Sequence, residues 1–270
     1  MKKTPIDFLP IELPKEIEAI CRDSKIYDSS SSAEARVYFI DYEGGFYIKT
    51  APLGSLRREA EMTGYFHSMN LGAEVLNYIS SKYDILFTRA VVGDDCTTAK
   101  YLDEPHRLCD ILAERLRALH ELDASGCPVR DRIKEYLTTA EKNFFDDRYD
   151  KSNFPDSFGY ASGDEAYRVL CEGKHLLKSD VLIHGDYCLP NIMLDNWKFS
   201  GFIDLGNGGM GDRHIDLFWG RWSLGFNLSL HGGFSEGEIN RFKDRFFDAY
   251  GRDKIDNDVL SVVAAAEVLG

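Results

Sequence analysis

The polar and apolar positions of the chain fall into two regimes. In the first third, short apolar blocks alternate with turn residues. Val37-Tyr38-Phe39-Ile40 and Phe46-Tyr47-Ile48-Lys49 read as two strands, because Glu43-Gly44-Gly45 between them has the chemistry of a tight turn. Val75-Leu76-Asn77-Tyr78-Ile79 and Ile85-Leu86-Phe87-Thr88 read as two more. Met62, Phe66 and Met69 share one face at spacings of four and three, so Arg57-Arg58-Glu59 opens a helix that Leu71-Gly72 stops. Residues 15–21 suggest a short helix, and Ser29 to Ser32 form a small polar run just before the first of the four strands. Five strands and one helix are expected to make a first lobe over residues 1–88.

After Thr88 the pattern loosens through Arg89-Ala90-Val91-Val92-Gly93-Asp94-Asp95, which reads as a hinge, and the apolar period then becomes helical. Leu108, Ile111, Leu112, Leu116 and Leu119 give one face of a helix over 105–120, with Pro105 suited to its first turn. Residues 130–145 suggest another, with Ile133, Leu137, Ala140, Phe144 and Phe145 inward, and Ser152 to Gly163 reads as a loop. An apolar-rich helix follows through Leu217, Trp219 and Trp222. Ser235-Glu236-Gly237-Glu238 is a capping box for a helix carrying Ile239, Phe242, Phe246 and Tyr250 and closed by Gly251. The expected class is α+β: an antiparallel sheet with a helix in 1–88, and a larger, mostly helical part over 89–270.

One stretch obeys neither regime. Val181-Leu182-Ile183 ends abruptly at His184-Gly185-Asp186-Tyr187-Cys188-Leu189-Pro190-Asn191, and two further apolar runs, from Ile192 and through Phe202-Ile203, lead to Asp204-Leu205-Gly206. Asp195-Asn196-Trp197-Lys198 has turn chemistry, so these two runs can pair as a hairpin and bring Asn191 near Asp204. Asp186 precedes Asn191 by five residues, and Asn191 precedes Asp204 by thirteen. Phosphoryl transfer of the kinase type needs this set: one carboxylate takes the proton of the acceptor hydroxyl, while an amide oxygen and a second carboxylate hold Mg²⁺ against nucleotide phosphates. Mg²⁺ prefers hard oxygen ligands and keeps several waters, so one Asn and one Asp suffice when phosphates supply the rest. A lone aspartate at a strand end is usually an ordinary turn residue; it is the complete spacing that favours the functional reading. Lys49 ends the second strand, where a kinase carries the lysine that binds phosphates, and Glu59 lies in the first turns of the next helix.

These residues resemble the aminoglycoside phosphotransferases, especially the 3′-phosphotransferases, a family with a two-lobed fold similar to that of protein kinases. The resemblance implies that Asp186 is the catalytic base, that Asn191 and Asp204 are metal ligands, that Lys49 and Glu59 are the lysine–glutamate pair, and that Tyr47 is the aromatic that stacks on adenine. It also implies purine contacts from backbone groups of Thr88 and Ala90. The phosphate-covering loop of a kinase would fall on the serines. No G-x-G-x-x-G is present, so Ser30, Ser31 and Ser32 would offer hydroxyls and N–H groups instead. The implied cofactors are ATP or GTP with Mg²⁺. The implied acceptor is a cationic aminoglycoside, with Glu267 and the loop acids Asp156 and Asp164 as its ammonium contacts.

Charge and composition narrow the partners. The 270 residues carry 32 Lys and Arg against 45 Asp and Glu, a net charge of −13. That argues against nucleic acid, which wants a basic face, and is compatible with a cationic substrate as well as with plain solubility. Six cysteines are scattered with no pair at a metal-binding or redox spacing. No apolar run approaches the roughly 18 residues of a membrane span, and Pro5, Asp7, Pro10, Glu12 and Pro14 interrupt any signal-peptide core. A cytoplasmic enzyme, monomeric or weakly dimeric, is expected.

The departures from the family pattern concern the acceptor. Asn207 stands where the family often has arginine, Phe226 and Asn227 stand where some members carry an acidic pair, and only Glu267 fits the acidic C-terminal run. A kinase of another small alcohol, such as choline, a hydroxy amino acid or a different antibiotic, is therefore the alternative, followed by a nucleotide-binding regulator without catalysis. A protein kinase is disfavoured because no A-P-E segment follows Asp204-Leu205-Gly206.

Overall fold

The computed structural model describes residues 3–22, 24–31, 34–154 and 158–270. In chain order its strands and helices are β1 (Thr4–Ile6), α1 (Lys15–Cys21), β2 (Lys25–Asp28), β3 (Arg36–Asp41), β4 (Phe46–Ala51), α2 (Arg57–Ser68), β5 (Val75–Ser80), β6 (Asp84–Arg89), β7 (Asp94–Asp95), α3 (Ala99–Leu102), α4 (Pro105–His120), α5 (Ile133–Phe145), α6 (Gly163–Gly173) and β8 (Val181–Ile183). Then follow β9 (Ile192–Asp195), β10 (Lys198–Phe202), β11 (Gly209–Gly211), α7 (Arg213–His231), α8 (Glu236–Tyr250) and α9 (Asn257–Leu269). Among the described residues, no helix is long and apolar enough to cross a membrane.

Two compact units result: Met1–Cys96 with Pro190–Gly206, and Thr97–Leu189 with Asn207–Gly270. Both are discontinuous in sequence, whereas the sequence reading draws a single boundary after residue 88. The reason lies in β9 and β10. Asn196 and Trp197 turn the chain with φ values of 47° and 71°, the left-handed pair that a two-residue hairpin needs, and β9 pairs in turn with β7. Gly93, at φ 101°, lets the chain before β7 run against the Leu194 backbone, where a Cβ would collide. Phe202 then donates its N–H to the Leu71 carbonyl at 2.7 Å.

The first unit holds a six-stranded antiparallel sheet in the order β1-β2-β3-β4-β6-β5. That is one strand more than the five expected. The outermost strand, β1, contains Pro5, which an edge strand tolerates because its missing N–H leaves no central ladder broken. Alternation sorts the sheet's faces. Tyr38, Ile40, Phe46, Ile48, Ile85 and Phe87 face a core closed by Ile17 and Cys21 of α1, while Leu86 on the opposite face packs with Leu56 and Ala60 at the start of α2. Phe66 of α2, fully buried, meets Phe202 edge-on at 6.0 Å and ties the helix to the end of β10. Truncating a buried Phe of this kind costs about 3–5 kcal/mol.

In the second unit α4 packs on α8, and α5, α6 and α7 pack on α9 around Leu170, Val263, Ala266 and Leu269. The expected helices over 105–120 and 235–250 appear, the latter with both halves of its Ser235–Glu238 capping box formed. The residues 163–173 that follow the expected loop form α6, where Ser162 caps the helix by accepting the Glu165 N–H. β8 pairs antiparallel with β11, Ile183 opposite Gly209, so that His184 emerges directly from a two-stranded anchor.

Candidate active site

Lys49, Glu59 and Asp204 meet in the first unit. The Lys49 ammonium lies 2.8 Å from both Glu59 oxygens and 3.0 Å from Asp204 Oδ1. One cation thus serves two carboxylates. Burial alone would lower the Lys49 pKa, but the Asp204 and Glu59 charges outweigh it and hold the ammonium above its ordinary value. Burial raises the Glu59 carboxyl despite the lysine, and the Asp204 charge pushes the same way. Asp204 has a left-handed φ of 57°, and its carboxylate is half exposed. Asn191 is buried, and its carbonyl accepts the Ile203 N–H at 3.0 Å, so the hairpin does bring Asn191 beside the residue that precedes Asp204.

A cavity within this unit is lined by Ser29, Ser31, Tyr47, Lys49, Glu59, Thr88 and Asp204, with Val37, Leu86, Val91 and Ile203 among its apolar walls. Burial, with smaller contributions from Asp95 and Asp204, raises the Tyr47 phenol to about 12, so it stays neutral. Ala90 lies outside the lining and gives its N–H to the Gly45 carbonyl at 3.0 Å, which leaves that donor engaged. The serines divide. Ser30 is a turn residue, its N–H on Asp28 Oδ1 at 2.8 Å and its hydroxyl accepting the Val37 N–H at 3.0 Å. Ser31 stays on the cavity wall, and Ser32 lies outside the described residues. Sequence reading missed Ser29, whose hydroxyl is buried in the lining. The run of four serines carries no signal that separates Ser29 from its neighbours; only the pairing of its N–H with the Val37 carbonyl, one rung past Asp28, does so.

The second unit presents Asp186, partly exposed, on a loop fixed from several sides. Both oxygens of the fully buried Asp216 are used: Oδ2 accepts the His184 N–H at 2.8 Å and Oδ1 the Gly185 N–H at 2.7 Å. His120 bridges Asp216 at 3.2 Å and the Tyr250 hydroxyl at 2.8 Å, extending the support to α4 and α8. Tyr187 is buried, with its hydroxyl on the Leu112 carbonyl at 2.7 Å, and Leu189 gives its N–H to Ser223 Oγ at 2.9 Å. Gly185, at φ 81°, packs so closely on the Asn207 carbonyl that no side chain would fit. Arg132, 7% exposed, reaches the same carbonyl with Nε at 3.1 Å and pairs through Nη1 with Glu135 at 2.6 Å. Burial, with Asp186 beside it, drives the Cys188 thiol far above its ordinary pKa, which makes it inert.

Glu267 on α9 accepts the Tyr136 hydroxyl at 2.9 Å and the Trp219 indole N–H at 3.0 Å on the same oxygen. Burial, assisted by the Asp186 charge and opposed by these two hydrogen bonds, raises its carboxyl to about 7. Asp164 sits in the first turn of α6, and Asp156 lies outside the described residues.

A model of the phosphotransferase enzyme family matches residues 29–259. A probable aminoglycoside 3′-phosphotransferase of Lactococcus lactis subsp. lactis (strain IL1403) is 47% identical over 262 residues, 96% of this chain and 95% of that protein. The chain belongs to the aminoglycoside phosphotransferase family. An aminoglycoside 3′-phosphotransferase of Niallia circulans is 31% identical over 175 residues, 65% of this chain and 63% of that protein. Among solved structures, a type VIII aminoglycoside-3′-phosphotransferase superposes with a TM-score of 0.71 at 24% identity, covering 90% of this chain and 91% of that one. The phosphotransferase APH(3'')-Id from Streptomyces rimosus ATCC10970, solved with ADP and streptomycin, gives 0.70 at 24% identity, covering 87% and 90%. These likenesses establish the fold, and the α+β, kinase-like class read from the sequence is the one found.

Proposed function

We propose that this enzyme moves the γ-phosphate of ATP or GTP to a hydroxyl of an aminoglycoside, the 3′-hydroxyl first, and that it thereby confers resistance in the cytoplasm. The observation that carries the reading is the Lys49–Glu59–Asp204 cluster at the wall of an apolar-sided cavity. A purine would stack beside Tyr47, and Lys49, held by Glu59, would meet the α- and β-phosphates. Asp186 would accept the proton of the acceptor hydroxyl while that oxygen bonds to phosphorus and the bond to the bridging oxygen of the nucleotide breaks.

The residues fit Mg²⁺. Asn191 and Asp204 offer hard oxygen ligands, the kind Mg²⁺ takes when phosphates and waters complete its shell. When bound, the ion would supply charge neutralisation at the phosphates. Lys49 and Glu59 then orient the nucleotide, and Asp216 holds the Asp186 loop.

Two observations favour a second reading, an acceptor other than a typical aminoglycoside. Trp222 and Phe226 stack face to face at 5.0 Å, and Glu267 is already engaged by Tyr136 and Trp219. A nucleotide-consumption screen with Mg²⁺ over aminoglycosides and small alcohols decides between them. Turnover with aminoglycosides and its abolition in Asp186→Ala support the first reading. Turnover only with a small alcohol that is not an aminoglycoside supports the second, and near-normal turnover in Asp186→Ala sinks the role of the base.

A further inference from the structure

Ser29 is 7% exposed, lines the cavity, and has a hydroxyl without a hydrogen-bond partner among the described residues. Buried hydroxyls are almost always paired, since leaving one unpaired forfeits its hydration for nothing. Local geometry does not account for the exception. The Ser29 N–H already extends the β2–β3 pairing by one rung, donating to the Val37 carbonyl at 2.8 Å, and the neighbouring Ser30 takes over the turn. Nothing in the backbone at residue 29 requires an oxygen on the side chain, so the oxygen answers to something in the cavity.

Sheet register says which part of a nucleotide that is. Val37 is paired with Lys49 and Lys49 with Leu86, so Ser29, Val37, Lys49 and Leu86 form one cross-strand row, and all four line the cavity. Tyr47 belongs to the next row on the same face, paired with Phe39 and Thr88. Two residues along a strand separate the rows, about 7 Å. Ser29 therefore lies across the sheet from the phosphate-binding lysine and is offset from the aromatic ring that would carry the base.

We propose that Ser29 Oγ hydrogen-bonds the sugar–phosphate part of the bound nucleotide and not its base. The inference rests on the nucleotide reading of this cavity, and it makes Ser29 an affinity determinant that treats adenine and guanine nucleotides alike.

The test measures ADP and GDP affinity by calorimetry on the full chain, together with the melting temperature of the ligand-free protein, for wild type, Ser29→Ala and Ser29→Thr. Ser29→Ala is expected to weaken both nucleotides by the same factor, roughly 3–10-fold, the loss of one neutral hydrogen bond. The ligand-free protein should melt at the same or a higher temperature, because an unpaired buried oxygen has gone. Ser29→Thr keeps the hydroxyl and should lose less. Unchanged affinity in Ser29→Ala, a loss confined to one base, or a lower ligand-free melting temperature accompanying the loss would each overturn the assignment. A wild type that binds neither nucleotide would remove the reading of the cavity and this inference with it, whereas a wild type that binds both, matched by Ser29→Ala, removes the inference alone.

Discussion

Asp84 Oδ2 accepts the Leu56 N–H at 2.9 Å, and with that bond a strand residue starts helix α2, whose N-cap, Leu56, has no capping side chain of its own. The other oxygen accepts the Gly54 N–H at 2.9 Å and the Ser80 hydroxyl at 2.7 Å, while Oδ2 also takes the Tyr78 hydroxyl at 2.9 Å. One buried carboxylate on β6 thus sets the end of β4, the β5–β6 turn and the first turn of α2, which carries Glu59 toward Lys49. Asp84→Asn must turn an N–H₂ toward at least one of these four donors. We expect it to lose about 1–3 kcal/mol of stability and to raise the KM for nucleotide. Burial alone would raise the Asp84 carboxyl, but these hydrogen bonds outweigh it and hold the pKa below the ordinary range. The stabilisation is therefore present above the unfolded carboxylate pKa of about 3.9 and fades as pH falls through the folded value. Denaturant titrations that gave the variant wild-type stability and the same acid limb would contradict this.

Lys49 and Glu59 should behave as one unit. Lys49→Met leaves two carboxylates, Glu59 and Asp204, without their shared cation. Nucleotide binding should fall by one to two orders of magnitude, about 1.4–2.8 kcal/mol. Glu59→Gln leaves the lysine paired with Asp204 and should lose less. Once Lys49 is gone, adding Glu59→Gln should cost little more or even restore some affinity, since a buried charge is removed. A double variant whose losses simply add would show that the two residues act separately.

What the sequence disclosed follows physical lines. The four strands around Lys49 and the helix bearing Glu59 announce themselves because each has one face in a core, and the hairpin joining Asn191 to Asp204 announces itself through Asn196 and Trp197. Strand β1 was silent because three residues with a proline at a sheet edge have no periodicity to read. Ser29 was hidden inside a run of serines that differ only in what the backbone does with each. Asp84 and Arg132 look like surface charges in sequence; only the fold reveals that the first is buried under four donors and the second behind the Asp186 loop.

Arg132 should matter to turnover more than to binding. Its Nε holds the Asn207 carbonyl, on which Gly185 packs, one residue from Asp186. Arg132→Met removes the guanidinium while keeping the aliphatic stem. A shift of the loop by about 1 Å would lower kcat roughly 10–100-fold, with nucleotide affinity nearly unchanged. Glu135→Gln, which removes only the half-exposed partner of the same arginine, should leave kcat close to wild type. Parallel kcat and nucleotide-affinity measurements check this, and equal losses in the two variants would assign the effect to the exposed ion pair.

Glu267 makes a prediction whose sign depends on pH. Its folded pKa of about 7 lies above the unfolded carboxylate value of about 4.3. Between these two the folded chain binds the extra proton, so stability falls as pH rises through that window and the cost of the buried charge is complete above it. Glu267→Gln offers its amide oxygen to Tyr136 and Trp219 and carries no charge at any pH. It should therefore raise the melting temperature at pH 8 more than at pH 5. An ammonium group of the acceptor docking beside Glu267 would favour the charged form, so saturating acceptor should flatten the wild type's decline between pH 5 and 8 and leave the variant unaffected. If acceptor binds and the decline persists, the ammonium is held elsewhere, and the carboxylate serves to orient Tyr136 and Trp219.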